Sequence, residues 1–127
     1  MADDFRVIIA GTRDFDNYTL LCEYADKMLA NRKEAGYNII IVSGCATGAD
    51  TLGEQYAEAR GYQVERYPAQ WRDANGRYDK GAGVKRNALM ADNADALLAY
   101  WDGKSRGTKN MIDEATKRGL LVRIKKY

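Results

Sequence analysis

Four consecutive β-branched residues, Ile39-Ile40-Ile41-Val42, constrain this chain more than any other stretch. An apolar run of that length with no polar alternation reads as a strand buried on both faces, the environment of a parallel sheet. The run breaks into Ser43-Gly44-Cys45-Ala46-Thr47-Gly48 and resumes as Ala49-Asp50-Thr51-Leu52, with Ala49, Leu52, Tyr56 and Ala59 at helical spacing. A strand, a glycine-bearing turn and a helix start can hold an anion with backbone alone. The first N–H groups of a helix lack partners within it and carry the positive end of its dipole. Gly44 and Gly48 let the turn form and leave no Cβ against an approaching ligand. The competing reading is that any connection from strand to helix needs small residues, and one such turn is a weak motif.

The turn recurs. Ala10-Gly11-Thr12-Arg13-Asp14 and Trp101-Asp102-Gly103-Lys104-Ser105-Arg106-Gly107-Thr108 also follow apolar runs and precede helical patterns. Strands are predicted at residues 6–10, 39–42, 63–67, 94–101 and 120–124. The first helix begins at Asn17, a good N-cap, and ends at Gly36; the others cover residues 49–60, 83–92 and about 108–118. Val84, Ala88 and Ala91 are predicted to form the inner face of the third helix. Alternating strands and helices with short connections imply an α/β fold, a single Rossmann-like domain over residues 1–127. Its doubly wound parallel sheet has about five strands in the order 3-2-1-4-5, with helices on both faces. The turns after strands one, two and four then open at the same carboxyl edge. That edge holds the switch point where such sheets bind ligands.

Composition removes several function classes. The formal net charge of +2 makes nucleic acid an unexpected partner on bulk electrostatics. The apolar runs are strand-length and the N-terminus is acidic, so neither a membrane span nor a signal peptide is expected and the expected location is cytoplasmic. There is no histidine, and the two cysteines, Cys22 and Cys45, form no CxxC pair. A metal site is therefore not expected, nor is histidine acid–base chemistry. Cys45 reads as a small turn residue, with no histidine to activate it.

Residues 69–81 follow the single proline, Pro68, as a long polar segment that reads as a structureless loop, a kind that is usually functional or disordered. Trp71 and Tyr78 within it either dock on the core and pin the loop, or stack on the flat ring of a ligand.

Taken together, the motifs resemble the SLOG superfamily, the Rossmann-like group that contains the LOG phosphoribohydrolases and the DNA-processing DprA/Smf proteins. The nearest resemblance is to its YspA-type, cpYpsA-related branch. The matching pieces run in order: Gly11-Thr12-Arg13-Asp14-Phe15, residues 42–50, Pro68-Ala69-Gln70-Trp71, Ala82-Gly83, Arg86-Asn87, Met90, Ala94-Asp95, residues 101–108 and Met111-Ile112. The resemblance implies binding of a nucleotide or nucleotide-derived small molecule, in families linked to bacterial and phage conflict or signalling. It also allows a homo-oligomer, though no residue points to one. No other cofactor is implied.

Arg86-Asn87 with Met90, followed by Gly107-Thr108, resemble the RK..M and GGxGTxxE signatures of the LOG enzymes. There the arginine and the glutamate help to cleave a ribose phosphate from a base. The arginine is kept as Arg86, but the glutamate position is Met111, which is expected to face the crevice. Methionine can neither stabilise oxocarbenium charge nor activate water. Asp50 and Asp102 are the remaining candidates for a catalytic carboxylate, beside Arg86. Asp102 equally fits a turn or cap aspartate, and Asp50 fits the start of the second helix.

The expected ligand-binding set is Gly11, Thr12, Arg13, Ser43, Gly44, Thr47, Gly48, Asp50, Arg86, Asn87, Asp102, Gly103, Ser105, Gly107 and Thr108. Arg13 and Arg86 are the preferred phosphate ligands, since a guanidinium matches phosphate geometry; Lys104 and Arg106 are secondary. The function expected is binding or sensing with weak or no catalysis. The alternatives are hydrolysis of a nucleotide N-glycosidic or related bond, and single-stranded DNA binding as in DprA.

Overall fold

The five apolar runs pair side by side. In the computed structural model, which describes residues 3–127, β1 (Asp4–Gly11), β2 (Asn38–Ser43), β3 (Gln63–Arg66), β4 (Ala96–Trp101) and β5 (Leu121–Lys126) form one parallel sheet. Its order is β3-β2-β1-β4-β5, and Val7 pairs with Ile41 on one side and Ala96 on the other. Crossovers are made by α1 (Tyr18–Glu34), α2 (Ala49–Arg60), α3 (Ala82–Asp92) and α4 (Arg106–Lys117).

Both faces are covered because side chains alternate along each strand. Val7 and Ile9 join Ile39, Ile41, Leu98 and Tyr100 against Leu21, Ala25, Tyr56 and Ala57 of α1 and α2. Ile8, Val42, Leu97 and Ala99 pack against Met90, Ala91, Met111 and Ala115 of α3 and α4. Each large side chain buried this way contributes about 1.5–3 kcal/mol. Two buried clusters, one per face, hold the central strands β2, β1 and β4 still, and the crevice is built on their ends.

Helix ends follow local chemistry. The Asn17 side chain accepts the N–H of Leu20 at 3.0 Å, and Gly61 closes α2 in a left-handed conformation. Among the described residues, no helix is long and apolar enough to cross a membrane.

Two expectations are corrected. Val84 is 52% exposed, and the buried side of α3 is Ala82, Asn87, Met90 and Ala91. The helix is rotated so that the Asn87 amide reaches α4, and that polar contact sets the helix face. Residues 69–81 are not structureless: Arg72 and Tyr78 pair across a short antiparallel turn. The Asp73 carboxylate closes it by accepting the N–H groups of Asn75 and Arg77 at 2.8 and 2.9 Å.

Candidate functional site

The turns after β1, β2 and β4 meet at the carboxyl edge. Thr12 ties the first to the third: its N–H donates to the Tyr100 carbonyl at 3.0 Å, and its hydroxyl accepts the Asp102 N–H at 3.2 Å. Gly48 joins the second to the first. Its φ is +77°, and a Cβ there would stand 2.4 Å from the Arg13 carbonyl oxygen and 2.5 Å from that of Thr12. Only glycine can take that conformation at that distance.

The room at these glycines is not left for a ligand. A Cβ on Gly44 would meet Asp50 Oδ2 at 2.8 Å and Arg86 Nη1 at 2.9 Å. The space expected to admit a phosphate is filled by the protein's own carboxylate and guanidinium. Ser43 lies beneath the turn, fully buried. Its hydroxyl donates to Glu54 at 2.6 Å and accepts the Cys45 N–H at 3.1 Å, so it fixes the turn.

A crevice of about 270 Å³ opens over the switch point between β1 and β4. Of the expected set, Gly11, Arg13, Asp50, Arg86, Asn87, Ser105, Gly107 and Thr108 line it, as does Trp71. Gly44 and Thr47 line an adjoining hollow that shares Arg13, Trp71 and Arg86 with it. Thr12, Ser43, Gly48, Asp102, Gly103 and Tyr78 line neither hollow. Lys80 and Asn110 line the crevice and went unnoticed in the sequence. Asn110 was findable, one turn after Gly107 on the same helix. Lys80 sits in an aperiodic loop that carries no such signal.

Arg86 is held by protein. Nη1 donates to the Gly44 carbonyl, and Nε donates to Asn87 Oδ1 at 2.9 Å. Asn87, itself buried, donates to Asn110 Oδ1 at 2.8 Å and to the Gly107 carbonyl at 3.3 Å. That chain of contacts links the second turn, α3 and the first turn of α4. Arg13, Lys80 and Arg106 form no ion pair among the described residues and stand at the rim.

The two aspartates part company. Asp50 does not cap α2; its carboxyl turns back into the β2–α2 turn, where it accepts the Ala46 N–H at 3.3 Å and faces Arg86. It is 5% exposed, and burial pushes its pKa up from an ordinary 3.8 to about 6. The Ala46 and Gly44 N–H groups and the Arg86 charge oppose that rise without cancelling it. Asp102 is a turn aspartate. Its Oδ1 accepts the N–H groups of Ser105 and Lys104 at 2.8 Å each, and these bonds hold its carboxyl below the usual range.

Met111 does not face the crevice. It is 1% exposed and packs with Ile8, Val42 and Leu97 under the sheet, because α4 turns Asn110 toward the crevice instead. Trp71 and Tyr78 do not dock on the core: they stack on each other, centroids 6.0 Å apart, and are 39% and 58% exposed. Of the pair, Trp71 lines the crevice and Tyr78 does not.

This sheet order, with its crevice at the switch point, defines a Rossmann-like α/β domain. The chain belongs to the YspA, cpYpsA-related SLOG family (YAcAr), whose model matches residues 5–73. It is 34% identical over 124 residues to the Gene 61 protein of Mycobacterium phage D29, covering 92% of this chain and 93% of that protein. Among solved structures it resembles DNA processing protein A (DprA) of Streptococcus pneumoniae, with a TM-score of 0.71 at 15% identity. That match covers 96% of this chain and 50% of the other, so the chain spans about half of that protein. DprA of Helicobacter pylori, described by its single-stranded DNA binding mode, matches with a TM-score of 0.64 at 19% identity, over 96% of this chain and 65% of that one. The structural-genomics target TM1055 matches at 0.63 and 19%, over 94% and 72%. At these identities the structural likeness is one of fold. Family and fold together make this a SLOG-family α/β domain.

Proposed function

We propose that the chain binds or senses a nucleotide or nucleotide-derived small molecule in the crevice over the switch point. The observation that carries this reading is the convergence of the β1, β2 and β4 turns on one crevice rimmed by Arg13, Lys80, Arg86 and Arg106. Guanidinium and ammonium groups around the start of α4 favour phosphate, and the exposed Trp71 offers a flat surface to a base. Native mass spectrometry of freshly purified chain, followed by denaturation and identification of released molecules, tests it. A nucleotide-sized adduct is expected. A chain that carries none and gives no calorimetric heat with a panel of mono- and dinucleotides would overturn the reading.

One observation supports a second reading, hydrolysis of a nucleotide N-glycosidic bond. Asp50 is a buried carboxyl at the crevice whose pKa is pushed to about 6, the range of a general acid, beside the Arg86 cation. Incubation with nucleoside monophosphates and chromatography for free base decides between the two. Release of base that Asp50→Asn abolishes would replace sensing by hydrolysis.

A further inference from the structure

Away from the crevice, the other end of the sheet carries a second built surface. A groove of about 440 Å³ runs between α1 and β5, floored by Met28, Leu98 and Leu121 and rimmed by Lys27, Arg32, Arg123 and Lys125. No acidic residue lines it. Among the described residues none of the four cations pairs with a carboxylate.

The groove adjoins an open strand edge. β5 is the last strand of the sheet, bonded only to β4. Leu121 and Tyr127 donate their N–H groups to the Asp95 and Trp101 carbonyls, so the odd-numbered residues turn their backbone groups into the sheet. The N–H and C=O groups of Val122, Ile124 and Lys126 therefore point outward; the Arg123 guanidinium donates to the Val122 carbonyl at 3.4 Å, and the rest of the row is one that an extended chain can complete. The opposite edge is unlike it: β3 has four residues and ends just before Pro68, which has no N–H to donate.

The two faces at the β5 edge differ in character. Arg123 and Lys125 register with Leu98 and Tyr100 on the α1 face, beside Lys27 and Arg32. Val122 and Ile124 register with Leu97 and Ala99 on the α4 face, and Ile124 is 46% exposed. Alternate residues of an added strand would thus meet cations on one side and apolar side chains on the other.

We propose that β5 is a docking edge for an extended segment of another protein in which acidic and apolar residues alternate. The acidic side chains lie over Arg123, Lys125, Lys27 and Arg32, and the apolar ones over Val122 and Ile124. A second copy of this chain does not suit the edge, because β5 against β5 would oppose Arg123, Lys125 and Lys126 to themselves. Single-stranded nucleic acid does not suit it either. The ring that lines the groove, Tyr24, is already engaged by the ammonium groups of Lys125 and Lys27, 5.0 and 5.5 Å from its centroid.

The probe is a labelled peptide of alternating glutamate and valine, compared by fluorescence anisotropy with its lysine–valine counterpart and with a labelled oligo-dT strand. Saturable binding of the glutamate peptide alone is expected. Reversing two charges, the exposed Arg123→Glu with the half-buried Lys125→Glu, should weaken it by about tenfold or more, since attraction becomes repulsion at two sites. Ile124→Pro should also weaken it. That change removes an outward N–H that β4 does not use. Circular dichroism checks that each variant is folded, and the charge reversal serves alone if the proline variant is not. Equal binding of both peptides, no binding of the glutamate peptide, or binding untouched by the charge reversal would overturn the proposal. So would preferential binding of the oligo-dT, or a dimer in light scattering that the charge reversal changes.

Discussion

In the turn after β2, a side chain added at Gly44 or Gly48 would collide with atoms of the protein at 2.4–2.8 Å. In the turn after β4, one added at Gly103 or Gly107 would meet no atom within 4 Å. The two turns look alike in sequence, each a few small and polar residues between an apolar run and a helix. The second turn is closed scaffold: its glycines let Arg13, Asp50 and Arg86 come together. The fourth strand's turn is open, and Gly107 and Thr108 line the crevice. A glycine-rich turn is thus a place of close approach, and only its surroundings say whether ligand or protein does the approaching.

That contrast can be broken most decisively at Gly48. Gly48→Val forces a branched side chain into a positive φ and against two carbonyls of the first turn. A loss of about 4 kcal/mol is expected from backbone strain and overpacking together, read by urea unfolding. Folding with near-normal stability would show that the turn is not closed.

Next in size is the cost of keeping Asp50 in that closed turn. Its folded pKa is raised, so between pH 3.8 and about 6 the folded chain keeps a proton that the unfolded chain releases. Stability should fall as pH rises through that window, by about 3 kcal/mol in all. Asp50→Asn should flatten the profile over that range and stabilise the chain at neutral pH. Unfolding curves measured from pH 3.5 to 7 for both proteins check it; parallel profiles would mean that Asp50 titrates normally.

Arg86 belongs to both functions, since it braces the turn through Gly44 and lines the crevice. Arg86→Ala should weaken a phosphorylated ligand by about 1.5–3 kcal/mol and leave the unphosphorylated nucleoside nearly unchanged. Arg13, with no ion pair, should affect binding without affecting stability. Calorimetry with both ligands, beside thermal unfolding of both variants, separates bracing from recognition. Equal loss for the two ligands would mean that Arg86 does not read phosphate.

The smallest stability effect should come from Gly107→Ala. At an exposed position near the start of α4 it should raise stability by up to about 1 kcal/mol while crowding the crevice. Destabilisation like that of Gly48→Val would erase the distinction between the two turns.

The sequence by itself determined the sheet. β-branched runs of strand length, separated by helices that bury one stripe, allow few arrangements, and right-handed crossovers reduce these to the observed order. It also brought the three turns to one edge, because parallel strands all end on the same side. What it could not determine was which way individual side chains turn within that edge. Met111 and Asn110 are neighbours in sequence, and the rotation of α4 buries the first and gives the crevice the second. Asp50 and Asp102 both stand beside a glycine turn by local pattern, one at a helix start and one in the turn, yet the first is buried against Arg86 and the second bonded to its own turn. Periodicity fixes which elements form, since it follows from local geometry. Rotation, burial and charge pairing follow from contacts between residues far apart in the chain, such as Gly44 with Arg86 and Asn87 with Asn110, and only the tertiary structure decides those.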